Sequence, residues 1–120
     1  SFKASPDLGK LYENLVACKF KKQEADGKLK FYYWKNQQQE EVDFVIKGGF
    51  KVKQLIQVCF NIKDLDTKNR EIRALIKAGK DLKCSNLLII TEDTEKEEKA
   101  EWFGDKANIK FIPLWKWLLE

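Results

Sequence analysis

An α/β fold, a mixed sheet flanked by helices, is predicted by three observations. Three strand-like stretches with period-two alternation lie between about Leu29 and Phe60. After Asn61 the apolar period changes from two to about 3.6, the signature of a helix. Beyond that helix "NLLIIT" is a short continuous apolar run, which fits a strand buried on both faces and so in a central, parallel position.

The first element is a helix through "SPDLGKLYENLVACKFKKQ". Ser5 is the candidate N-cap, Pro6 fits the first helical position, and Asp7 complements the positive end of the dipole. Leu8, Leu11, Tyr12 and Leu15 form the expected core-facing stripe, widened by Val16. Glu13 falls near Val16, Ala17 and Phe20 on the helical wheel, which sets its carboxylate at a rim between core and solvent.

An aromatic strand follows from about Leu29 to Lys35, and the polar tract "NQQQE" signals a turn into "EVDFVIKGG". In that second strand Val42, Phe44 and Ile46 are expected on one face, with Glu41, Asp43 and Val45 on the other. Gly48 and Gly49 end it, and "FKVKQLIQVCF" is the third strand. Ile72, Leu75, Ile76 and Leu82 stripe a helix through "TKNREIRALIKAGKDLK", with Asp66 or Thr67 as its cap. "NLLIIT" and "NIKFIP" supply two more strands, and "LWKWLLE" a short closing helix. The apolar arc of that helix, from Leu114 to Leu119, is wider than a surface helix usually buries, so the core or a partner must cover it. The order predicts a three-strand antiparallel meander, a right-handed helical crossover and a parallel strand.

The chain is one domain of 120 residues, 43% hydrophobic and 35% charged, with a net charge of +4. Its signs are segregated: "KFKKQ" is basic and "EDTEKEEKAE" mostly acidic, both read as solvated surface. No apolar run approaches a membrane span, which leads to a cytoplasmic expectation. With no methionine and an abrupt opening, the sequence reads as a fragment of a longer chain. Histidine is absent and the three cysteines, Cys18, Cys59 and Cys84, have no CxxC spacing. Zinc sites and Ser-His-Asp or Cys-His schemes are therefore disfavoured, leaving carboxylates, lysine or a hard metal ion to carry any catalysis.

Within "LIQVCF", Gln57 and Cys59 stand two residues apart and so share a strand face. Either they are ordinary strand residues packed under a helix, or they are the altered positions of a site. Asp43, between Val42 and Phe44, needs hydrogen bonds, a cation or the surface. Arg70, Arg73 and Lys77 share a flank of the crossover helix and, with Lys68 and Lys80, form a basic stripe that reads as a solvated face or as phosphate contacts.

Taken in order, "LGKLYENLVA", "YYWK", "EVDFVI", "LIQVC", "TKNREIRALIKAGKDLKCSNLLIIT" and "IPLWKWLL" resemble the restriction-endonuclease-like superfamily, the PD-(D/E)XK nuclease fold. More closely the chain resembles the C-terminal nuclease-like domain of archaeal P-loop ATPases. The resemblance implies that Glu13 and Asp43 match two Mg²⁺-binding carboxylates, while Gln57 and Cys59 replace the second strand carboxylate and the lysine. Glu13, Asp43 and Gln57 are then the metal candidates, with Cys59 completing a degenerate catalytic set; Lys68, Arg70, Arg73 and Lys77 are the nucleic-acid candidates. Glutamine brings no negative charge to a metal, and a thiol cannot replace lysine beside a phosphate, so Mg²⁺ binding is expected to be weak. The implied function is an accessory domain acting in nucleic-acid binding or protein interaction, with DNA and the N-terminal ATPase domain of the same chain as partners. The alternative is an active Mg²⁺-dependent DNA endonuclease.

Overall fold

The computed structural model describes residues 6–120, in the order α1 (Pro6–Ala25), β1 (Lys30–Lys35), β2 (Glu41–Gly48), β3 (Lys51–Val58), α2 (Leu65–Leu82), β4 (Leu87–Thr91), β5 (Lys96–Trp102), β6 (Asp105–Pro113) and α3 (Leu114–Leu119). The cap expected at Ser5 lies outside the described residues. The six strands form one mixed sheet in the order β1-β2-β3-β4-β6-β5. β1, β2 and β3 are the expected antiparallel meander, and β4 joins β3 in parallel after the α2 crossover. β6 then lies parallel to β4, and β5 returns antiparallel along its outer edge.

Two apolar layers sandwich the sheet. One packs Ile72, Leu75 and Ile76 of α2 on Leu55, Leu87, Ile89 and Phe111. The other packs Val16 and Phe20 of α1 and Trp117 of α3 on Phe44, Ile56, Leu88 and Ile90. All five residues of β4 are buried, as the continuous apolar run requires of a central strand. Gly79 lets the chain turn tightly out of α2: a Cβ there would stand 2.7 Å from the Cys84 carbonyl oxygen.

Several local expectations are corrected. The helix α2 is capped by Asp64, whose carboxylate accepts the Asp66 and Thr67 N–H groups at 3.1 and 3.2 Å, so those two residues are the first turn and not the cap. On α1, Val16 and Phe20 are buried whereas Leu11 and Leu15 are exposed, because α3 and the sheet meet the helix on its Val16 side. The closing helix buries Leu114 and Trp117 and leaves Trp115 and Leu119 exposed, so the core covers only part of its arc.

In β2 the alternation breaks. Asp43 and Phe44 together oppose Tyr33, a bulge that shifts the phase. Val42 thus joins Val45 under α2, while Phe44 and Ile46 face α1. The acidic run "EDTEKEEKAE" is solvated as expected, with none of its residues buried, but most of it is the edge strand β5, whose charged side chains suit an unpaired edge.

Candidate carboxylate pocket

The bulge in β2 and the C-terminal end of β3 come together beneath the first half of α2. Gln57, fully buried, donates from Nε2 to the Glu41 carbonyl at 2.7 Å and to the Glu71 carbonyl at 3.3 Å. Its Oε1 accepts the Asp43 N–H at 2.9 Å. One amide thereby satisfies three backbone groups, two of them on β2 and one belonging to α2. Asp43 answers across the strands by accepting the Val58 N–H at 2.7 Å on Oδ2.

Asp43, Gln57 and Cys59 lie on the α2 side of the sheet. Cys59 is buried, and its thiol donates at 3.7 Å to the Asn61 carbonyl. Glu13 approaches from α1, whose neighbouring Tyr12 ring packs edge-on against Phe60 at 4.9 Å, holding this part of the helix over the end of β3. It is near enough to act electrostatically on both Asp43 and Glu71.

Glu71 is the residue that sequence reasoning missed. It lines a cleft of about 390 Å³ with Asp43, Glu41, Arg70 and Arg73. Burial pushes the Asp43 carboxyl up to about 7, against the lowering pull of the Val58 N–H and with the Glu13 and Glu41 carboxylates adding to the rise. Burial likewise pushes Glu71 up to about 8, reinforced by Asp43 and opposed by Arg70. The Cys59 thiol is pushed up to about 12, first by burial and then by Glu71 and Asp43. It is a protonated thiol at neutral pH, not a nucleophile.

The basic stripe of α2 is largely occupied within the fold. Glu40, buried at the mouth of the β1–β2 turn, is bonded at 2.7 Å by both Arg73 Nε and Lys77 Nζ and at 3.1 Å by Asn36 Nδ2. Burial opposes its charge, but these donors prevail and hold its carboxyl below its usual value. Lys68 is paired with Glu98 at 2.9 Å and Lys80 with Asp105 at 3.4 Å. Arg70 is the stripe residue that faces the cleft without an ion pair among the described residues.

As a metal site the donor set fits poorly. The Gln57 oxygen is turned to a backbone N–H and one Asp43 oxygen to another. No group of three or more acidic or thiol side chains among the described residues converges as a cation cage. Of the four carboxylates that line the cleft, Glu40 and Glu41 are ion-paired with Arg73, Lys77 and Lys35, which leaves Asp43 and Glu71 as the donors without an ion pair among the described residues.

Fold and cleft define a mixed-sheet α/β domain with a carboxylate pocket at one end of its meander. The chain belongs to the family described as "Domain of unknown function (DUF4143)", which matches residues 8–117. It is 38% identical over 121 residues to an uncharacterized protein of Methanocaldococcus jannaschii, an alignment taking in 99% of this chain and 26% of that protein. The chain thus spans about a quarter of that relative's length. No helix among the described residues is long and apolar enough to cross a membrane.

Proposed function

We propose that the chain is a nuclease-fold accessory domain whose former catalytic pocket is inert, and that it serves by binding nucleic acid. The observation that carries this reading is the hydrogen bonding of Gln57. At the position where the resemblance calls for a metal-binding carboxylate stands a neutral amide directed to three backbone groups. Cys59, at the lysine position, is buried and protonated, and no lysine among the described residues lines the cleft. A water attacking a phosphodiester there would lack both the β3 carboxylate that anchors Mg²⁺ and the lysine, two residues on, that stabilises the transition state. The resemblance attaches such domains to a P-loop ATPase, and a relative of which this sequence covers 26% has room for one.

A second reading is favoured by Glu71. It sets a carboxylate beside Asp43 from α2 in place of β3, with Arg70 as the adjacent cation. Asp43 and Glu71 would then be the two protein ligands of a largely hydrated Mg²⁺, which supplies charge neutralisation at a phosphate.

Calorimetric titration with Mg²⁺ and Mn²⁺, and cleavage assays on single-stranded, double-stranded and branched DNA, separate the readings. The inert domain binds either ion at millimolar strength or weaker and releases no product. Metal-dependent cleavage abolished by both Asp43→Asn and Glu71→Gln would overturn the inert reading in favour of the nuclease.

A further inference from the structure

We infer that the free end of the β1–β2 ribbon is a binding surface for single-stranded nucleic acid, separate from the carboxylate pocket. The inference rests on the nucleic-acid reading above and names the surface and the form of the polymer. Lys30 and Lys47 are direct cross-strand partners, so their amines leave the same face of the ribbon. Tyr32, two residues beyond Lys30, projects from that face too, and the Lys47 amine lies 5.8 Å from its ring centroid. With Lys28 and Phe50 these residues line an open groove of about 480 Å³.

Like charges placed directly opposite on a sheet are destabilising, and neither Lys30, Lys47 nor Lys28 has an ion-pair partner among the described residues. That contrasts with α2, where four basic side chains are paired within the fold. The acidic side chain of the groove, Glu24, accepts the Phe31 N–H at 3.2 Å, which ties it to the corner between α1 and β1.

The aromatic content specifies the ligand further. Phe50, at the β2–β3 turn, is 103% exposed and Tyr32 48% exposed. Rings held among unpaired lysines match a strand whose bases are free to stack while its phosphates meet the amines; the bases of a duplex are stacked already. Gly48 lies five residues along β2 from Asp43, about 17 Å at the strand rise. The groove and the carboxylate pocket therefore lie at opposite ends of the strand.

Fluorescence anisotropy of labelled oligo(dT), oligo(rU) and a duplex across a salt series tests this on the 120-residue chain. Single strands of either sugar bind more tightly than duplex, the two homopolymers reporting whether the 2′-hydroxyl matters, and log K falls with log salt at a slope near −2 for three lysines. Lys30→Gln with Lys47→Gln makes that slope shallower by about 1.4. Tyr32→Ala and Phe50→Ala each weaken single-strand binding on the order of tenfold with the slope unchanged, while the exposed Lys63→Gln changes neither. Binding that survives all the hairpin changes but is lost with Arg70→Gln overturns this inference and leaves the broader reading standing. No binding to any oligonucleotide at the lowest salt overturns both.

Discussion

Gln57 and Asp43 are locked to each other across β2 and β3: the Gln57 amide oxygen accepts the Asp43 N–H at 2.9 Å, while the Asp43 carboxylate accepts the N–H of Val58, the next residue after Gln57, at 2.7 Å. Each side chain completes the backbone of the other's strand. The bulge in β2, which would otherwise leave buried polar groups unmatched, is stabilised by this exchange.

Removing the amide should therefore be costly. Gln57→Ala leaves the Asp43 N–H and the Glu41 and Glu71 carbonyls without their partner and opens a void, a loss of about 3 kcal/mol by denaturant titration. Gln57→Glu should also destabilise, because a carboxylate replaces the donor that faces two carbonyl oxygens. A Gln57→Glu, Cys59→Lys pair will recover stability with Mg²⁺ only if the new carboxylate can leave those carbonyls for the cleft. Thermal melts with and without the ion read this directly.

Asp43 and Glu71 make stability fall as pH rises. Their folded pKa values, about 7 and about 8, lie above their ordinary values, so between roughly pH 4 and pH 8 the native state holds more protons than the unfolded chain. The stabilising influence of those protons is complete below the unfolded values and is lost as pH climbs through the folded ones. Asp43→Asn and Glu71→Gln should each raise stability at pH 8 by on the order of 1–3 kcal/mol and leave it nearly unchanged at pH 4. Chemical denaturation at the two pH values is the check.

Glu40 has the opposite sign. Held below its usual value by Lys77, Asn36 and Arg73 against its burial, it stabilises the fold above its unfolded pKa and loses that contribution as pH falls through its folded one. Glu40→Gln should cost about 2–3 kcal/mol at neutral pH, since Arg73 and Lys77 lose their common partner beside a buried site. The gap to wild type should close under strongly acid conditions.

The three thiols should react unequally. Cys18 is exposed, whereas Cys59 and Cys84 are buried and Cys59 is further protected by a pKa near 12. Titration with a chromogenic disulfide should modify one thiol rapidly in the native protein and all three in denaturant. Fast native modification of Cys59 would contradict the buried, protonated thiol described above.

Much of the framework was legible in the residues because it is written in local periodicity. The α2 stripe of Ile72, Leu75 and Ile76, the continuous "LLII" of β4 and the alternation of Leu55, Gln57 and Cys59 each follow from the pitch of one element, and the α2 crossover follows from their order. What required the tertiary structure depends on several elements at once. Val16 and not Leu15 is buried because α3 and the sheet select that side of α1. The strand β5 is concealed in "EDTEKEEKAE" because an edge strand with neither face deeply covered carries little apolar signal. A one-residue bulge moved Val42 to the α2 face, and no strand period announces a bulge. Glu71 and Glu40 look like any helix or turn carboxylate in the chain; only folding sets one over Asp43 and the other between Arg73 and Lys77, and desolvation together with neighbouring charge, neither of them a property of a residue alone, then gives them their chemistry.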